Sequence, residues 1–340
     1  MKSTFSPVRT AWLLALIVAV LLPLFVGGYL TSILLLIAIW AIVAVSLNLL
    51  YGYTGQLSLG HSAFLGIGAY ACGIIAVKLH LGFWPAFFAA IAISGLFGFL
   101  IGIPALKLRG PYFVLVTLGF AAIVGVIVLG WTQLTGGANG LAGVPRPNPI
   151  PLPFGRTLRF DSLLAMYYFT LFFLIVIALI CHRLVRSLLG RTFVAISHDE
   201  DLAESLGINT MQKKLISFTI SALFSGVAGA LYASYNSVIS PDIAYFARGM
   251  DVLACLIVGG AGTMVGPIIG TFVMTAIPEA LQIVPTLRTL INGFILLIFI
   301  IFLPTGIAGG FKALFSRRGH SIDDPAASSR VSKTTSGASL

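Results

Sequence analysis

Two stretches of this 340-residue chain place hydrogen-bonding groups inside otherwise apolar sequence. In "YGYTGQLSLGHSAFLGIGAYACG", Gln56, Ser58, His61 and Ser62 bring amide, hydroxyl and imidazole groups to the start of an apolar run. In "VGGAGTMVGPIIG", Gly259, Gly260, Gly262 and Thr263 leave backbone amides and carbonyls uncovered. Groups of this kind can line a cavity for a polar solute, because interrupted helices are tolerated within a membrane only where they face protein or water. The bland reading also stands: a lone histidine such as His61 is more often structural, and glycines more often serve close helix packing. A third stretch is charged. The chain holds ten Asp and Glu residues, yet Asp199, Glu200, Asp201 and Glu204 fall together in "GRTFVAISHDEDLAESLGINTMQKK".

No catalytic constellation accompanies them. There is no G-x-x-x-x-G-K-[ST] phosphate loop, no G-x-S-x-G and no H-E-x-x-H. The sequence therefore names no catalytic residue, no metal ligand and no cofactor. Cys72, Cys181 and Cys255 lie in or beside apolar runs without paired spacing and read as packing residues. Asp251 and Glu279 stand at the edges of apolar segments, where acids are ordinary as well as functional suspects. Few acids lie deep in the runs, which disfavours a proton-coupled pump.

The elements that must position these residues are membrane helices. Hydrophobic residues make up 58% of the chain and charged residues 9%, with a mean hydropathy of +1.05. A soluble domain carries about 25% charge, so lipid has to be the solvent. The expected fold is an all-α polytopic membrane protein of about ten transmembrane helices, some short or broken. Clear runs occupy 29–50, 62–79, 84–106, 112–131, 162–180 and 215–235; shorter ones occupy 11–26, 250–260, 265–278 and 287–303. The first run lacks a clear cleavage site and reads as an anchor.

With a cytoplasmic N-terminus, one side receives most of the 20 Lys and Arg residues, among them Lys107, Arg109, Arg183, Arg186, Arg191, Lys213 and Lys214. That is the positive-inside pattern, and it accounts for the net charge of +10 without nucleic acid. The expected organisation is a cytoplasmic N-terminus at 1–10, a membrane domain at 11–315 and a disordered cytoplasmic tail at 316–340. Within the membrane domain lie an outer Gly/Pro-rich loop at 132–160 and an inner loop at about 183–214; neither the outer loop nor the tail is assigned a fold of its own.

Four motifs in order, "GYTGQLSLGHSAFLGIGAY", "IPALKLRGPYFVLVTLGFA", "LTGGANGL" and "IVGGAGTMVGPIIGT", resemble the LivM-type permease subunit of branched-chain amino-acid ABC importers over about residues 30–305. Permeases of urea and amide importers are closely similar, and an ion-coupled secondary transporter is the more distant alternative. The resemblance implies a multi-pass protein of the bacterial inner membrane, surrounded by lipid, with both termini cytoplasmic. It implies a LivH-like second permease, two cytoplasmic ATPase subunits and an extracytoplasmic substrate-binding protein as partners. It also implies that the loop at 190–209 is the coupling segment whose short helices dock on the ATPase. On that reading Gly190, Arg191, Ser197, Asp199, Glu200, Ala203, Glu204, Gly207 and Ile208 are coupling residues, and the two polar stretches are the substrate pathway.

The residues of the loop allow this. Phe193, Ala195, Ile196, Ala203, Leu206 and Ile208 are interspersed with polar residues, as in an amphipathic helix. Ser197 or His198 can cap a helix over 199–206, Gly207 can end it, and carboxylates in a first turn oppose the helix dipole. Two readings of the acids are compatible: capping with solvation, and pairing with basic residues around a partner groove. The stretch "EDLAESLG" keeps an acid, an Ala and the Gly of the family's E-A-A-x-x-x-G pattern at offset spacing.

Overall fold

A long apolar run in lipid must satisfy its own backbone hydrogen bonds, so it folds as a helix. The structure, a computed structural model, describes residues 17–151, 157–280, 285–303 and 306–310. After helical residues 17–25 come α1 (Gly28–Thr54), α2 (His61–Val77), α3 (Phe83–Ala105), α4 (Pro111–Gly130) and α5 (Leu163–Arg186). Two short helices follow, α6 (Leu188–His198) and α7 (Glu200–Ser205), then α8 (Thr210–Asn236), α9 (Phe246–Gly259), α10 (Gly266–Ala280) and α11 (Pro285–Phe302). Among the described residues, α1, α3, α4, α5 and α8 are long and apolar enough to cross a membrane, and α2 is a shorter apolar helix. The chain is an all-α, multi-pass membrane protein. The N-terminal residues 1–10, the first part of the 11–26 run and the tail at 316–340 lie outside the described residues.

Each expected run from 29–50 onward recurs as a helix, with most ends shifted by a few residues. Two boundaries move farther. α5 continues to Arg186, where Arg183 and Arg186 complement the negative end of the helix dipole. α8 starts at Thr210, because Asn209 Oδ1 accepts from the Gln212 amide at 3.0 Å and caps it.

α8 is the centre of the bundle and packs on α1, α2 and α3. Its small residues permit that approach. A methyl group on Gly229 would lie 2.1 Å from the Leu65 carbonyl oxygen, and one on Gly98 would lie 2.4 Å from Ala222 Cβ. Close packing is thus the role of "GVAGA" and "GLFGFLIG". Between α3 and α5 the space is filled by rings instead, with Phe87 and Phe173 centroids 5.1 Å apart and Phe169 and Phe173 also 5.1 Å apart.

The two ends of the bundle differ. At one end lie the α3–α4 turn and α6–α7. At the other, the 132–160 loop carries more structure than its composition suggests. It holds a helical turn at Thr132–Thr135, Leu141–Ala142 paired antiparallel with Val238–Ile239, and Ile150–Pro151 paired with Thr157–Leu158.

α9 and α10 are about 21 and 22 Å long by helical rise, short of the roughly 30 Å of hydrocarbon. They form a hairpin. A methyl on Gly259 would lie 1.8 Å from the Gly266 carbonyl oxygen, and one on Gly270 would lie 1.9 Å from that of Cys255. From the hairpin tip α10 follows α1 back to its start, where the Tyr29 hydroxyl donates to Glu279 Oε1 at 2.5 Å.

Candidate functional site

The first polar stretch folds back into the bundle. α1 and α8 run antiparallel, with Thr54 and Ser217 hydroxyls 2.9 Å apart and Ser46 and Ser225 hydroxyls 2.9 Å apart. His61, the first residue of α2, places Nε2 2.6 Å from Ser221 Oγ, and Ser221 bonds the Ser46 carbonyl. Ser46 lies about 12 Å up the helix axis from the end of α1 at Thr54. Residues 55–60 therefore return as non-helical backbone to the interior, where α2 begins.

A second stretch, which ends in a short 3-10 turn at Pro241–Ala244, reaches the same place. The Tyr70 hydroxyl donates to the Ile239 carbonyl at 3.2 Å, and a methyl on Gly66 would lie 2.7 Å from Ala244 Cβ, so residues 239–244 run along α2 toward its start. α9 then begins beside that start: a methyl on Gly249 would meet the Leu59 carbonyl at 2.6 Å and Ser62 Oγ at 3.3 Å.

The polar atoms here are buried and only partly satisfied. Ser58, His61 and Ser62 are buried and Gln56 is half-buried. The Ser221 hydroxyl spends its proton on the Ser46 carbonyl, so His61 Nε2 is the donor to Ser221 and Nδ1 is left as an acceptor. Among the described residues, neither His61 Nδ1 nor Ser62 Oγ has a hydrogen-bond partner. Buried polar atoms seldom stay unpaired, which marks this point for a polar visitor or water.

The second candidate stretch is the tip of the α9–α10 hairpin. Asn48 clamps it with both ends of its amide: Nδ2 donates to the Thr263 carbonyl at 2.8 Å, and Oδ1 accepts from the Gly262 amide at 2.9 Å. Gly260 and Gly262 both have positive φ, and the Thr263 hydroxyl donates to the Gly260 carbonyl at 2.8 Å. Both candidate stretches are thus held by α1 over residues 46–52. Sequence reading missed Asn48 and the serines of α8. The signal was there in the spacing: Ser217, Ser221 and Ser225 repeat at four residues and line one helix face. The acids flagged at segment edges have partners in the fold, Asp251 with Arg248 at 3.4 Å and Glu279 with Tyr29 across the bundle.

The charged loop departs from expectation in three ways. It forms two helices, and the cap of the second is Asp199, whose Oδ1 accepts from the Leu202 amide at 2.9 Å. Ser197 instead donates to the Val194 carbonyl within α6, and His198 is the last residue of that helix. Capping by the carboxylate wins because Glu200 and Asp201 then sit in the first turn, at the positive end of the dipole. Gly207 does end α7. At φ 84 its amide donates to the Glu204 carbonyl at 2.9 Å, while the Ile208 amide bonds Ala203 at 3.1 Å.

The second departure concerns the apolar residues. Phe193, Ile196 and Ala203 are buried in this chain, so they are not offered to a partner. The exposed apolar side chains are Leu188, Leu202 and Leu206. Gly190 is buried against the last turn of α5, where a methyl would lie 2.0 Å from the Val185 carbonyl, and Arg191 beside it is exposed.

The third is electrostatic. Three of the four acids pair within the chain: Arg109 reaches Asp201 at 2.6 Å, Glu204 at 3.7 Å and Glu200 at 3.8 Å, while Lys214 reaches Glu200 at 2.5 Å. The Asp201 hydrogen bond, with Glu200 and Glu204 beside it, raises the Arg109 guanidinium above its ordinary value.

Comparison with known proteins matches the family described as the permease component of branched-chain amino acid transport systems over residues 29–303. The high-affinity branched-chain amino acid transport system permease protein LivM of Escherichia coli is 33% identical over 309 residues, covering 86% of this chain and 73% of that protein. LivH of the same organism is 26% identical over 283 residues, covering 79% of this chain and 91% of its own length. BraD of Pseudomonas aeruginosa, a permease of the same description, is 26% identical over 291 residues, with the same coverage. No solved structure matches.

Proposed function

The chain belongs to the permease family of branched-chain amino acid transport systems, and from that premise we propose that it forms half of an importer's pathway in the bacterial inner membrane. The other half is a LivH-like permease, a branched-chain amino acid is the solute, and two ATPases drive the cycle from the cytoplasm. An extracytoplasmic binding protein delivers the solute, which relieves the permease of strong selectivity. The observation that carries the reading is the meeting of residues 55–62 with the start of α9, where His61 Nδ1 and Ser62 Oγ are buried with no partner among the described residues. Neutral, replaceable hydrogen bonds let a zwitterion pass without being held.

The basic residues favour a cytoplasmic α6–α7 end, since Lys107, Arg109, Arg183, Arg186, Arg191, Lys213 and Lys214 all gather there. The coupling surface on this reading is α6–α7, with Leu202 and Leu206 as the exposed apolar contacts.

Uptake of labelled leucine by proteoliposomes holding the whole complex tests this. Uptake is expected only with ATP and binding protein together; uptake driven by an ion gradient alone would overturn it. Gly207→Pro removes an amide that bonds Glu204 and forbids the φ of 84. It should abolish uptake while the complex still assembles, and wild-type uptake would exclude α7 as the docking element.

A further inference from the structure

Arg109 belongs to no motif assigned to the pathway or the coupling loop, and it sits in the turn between α3 and α4. Its guanidinium is nevertheless the hub of the coupling loop. Nη1 bonds Asp201 Oδ1 at 2.6 Å, and the group lies within 3.8 Å of Glu200 and 3.7 Å of Glu204. Those three carboxylates are spread along the whole of α7, so Arg109 holds the helix over its length and not at one point.

Glu200 carries the connection onward. Its Oε1 is 2.5 Å from Lys214 Nζ, and Lys214 is 1% exposed, in the first turns of α8. The Thr210 hydroxyl, at the start of α8, donates to Glu204 Oε1 at 2.5 Å. An isolated exposed ion pair is a weak tether. A buried cation is different, because separating Lys214 from Glu200 would leave a charge unpaired out of water. Lys214 thus fixes α7 to α8, and Arg109 extends the same bond to the α3–α4 turn.

We propose that Arg109 and Lys214 are positioning residues for coupling, yoking α7, the α3–α4 turn and the start of α8 into a unit that moves as one. The proposal rests on the reading that α6–α7 dock the ATPase. Its consequence is a short route to the pathway. Ser221, which holds His61, lies on α8 about 10 Å beyond Lys214 by helical rise. A displacement of α7 then reaches both the α2 start and the α3–α4 pair without deforming a loop.

The test is the ratio of leucine taken up to ATP hydrolysed by the reconstituted complex. Arg109→Glu and Asp201→Arg alone should each lower that ratio, by about 2- to 30-fold, the range for residues in a coupling network. The double variant restores one of the three contacts with reversed charge, while the new carboxylate at position 109 still faces Glu200 and Glu204, and should bring the ratio partway back to wild type. Both positions are exposed, so the melting temperature of the singles should stay at the wild-type value. A second measurement uses Arg109→Cys with Asp201→Cys and a short thiol cross-linker. The native cysteines Cys72, Cys181 and Cys255 are buried and do not compete. Parts that move as one transport equally well when cross-linked. A wild-type ratio in Arg109→Glu, no recovery in the double variant, or arrest by the cross-link would each overturn the yoke. Wild-type uptake that needs no ATP overturns the docking reading itself, and the yoke with it.

Discussion

The start of α2 and the α6–α7 loop are both polar islands in an oily chain, and they are built on opposite principles. At the start of α2 the groups are neutral, and His61 Nδ1 and Ser62 Oγ have no partner among the described residues. In the loop the groups are charged and no acid is idle: Asp199 caps α7, and Glu200, Asp201 and Glu204 meet Arg109 and Lys214. Spare neutral groups suit a place where a solute must bind weakly and leave. Mutually saturated charges suit a place that must keep its shape while being pushed. On the function proposed above, polarity in this membrane chain would serve passage where it is incomplete and rigidity where it is complete.

The comparison breaks most sharply at Glu200. Glu200→Gln strands the buried Lys214 ammonium, and removing one partner of a buried pair costs about 3–5 kcal/mol. We expect a large fall in the thermal stability of the purified protein. Adding Lys214→Met should recover most of it, since an apolar replacement of the pair removes both charges from the interior. At the start of α2, Ser221→Ala removes two neutral hydrogen bonds and strands the buried His61 Nε2, at a smaller cost of about 1–3 kcal/mol. Equal losses at the two places would remove the distinction between them.

Asn48 tests a second neutral case, where both ends of one amide hold a hairpin tip. Asn48→Ala leaves the Gly262 amide and the Thr263 carbonyl without their side-chain partner. A cost of about 1–3 kcal/mol is expected for stranding such groups. The loss should be local, freeing the hairpin tip from α1. A cysteine at the exposed Ala261 should react faster with a water-soluble thiol reagent in the Asn48→Ala background. Unchanged reactivity would show that glycine packing, not the amide clamp, holds the tip.

Much of this was legible in the sequence, for physical reasons that also explain the gaps. Helices α1 to α5 and α8 to α11 follow from apolar run length, because lipid leaves the backbone no other choice. The helix breaks at 55–60 and 260–265 follow from glycine among polar residues. Pairings across the bundle were hidden. Arg109 and Asp201 are distant in sequence, and nothing local to "LKLRGPYF" says which acid its arginine will meet. The acids read as available to a partner because they were counted without their cations. Asn48 was lost inside an apolar run, where one polar residue barely disturbs hydropathy. The capping residue was misjudged by two positions at most, since Ser197, His198 and Asp199 are adjacent and only geometry ranks them.

The smallest expected effect on stability is the most informative about the loop. Leu206 is 74% exposed and Leu202 57% exposed, so neither side chain contributes much to the fold. Leu206→Ser should change stability by no more than about 0.5 kcal/mol, as for surface substitutions generally. On the proposed function, with α7 already saturated with charge from within, its contact with an ATPase would be made largely by these leucines. Uptake by the whole complex should then fall while the isolated protein melts as before. Restoring an apolar side chain with Leu206→Met should return uptake, whereas Leu206→Gln, similar in size but polar, should not. Uptake indifferent to all three would argue against α7 as the docking face, leaving α6, with Arg191 exposed, as the alternative on the proposed reading.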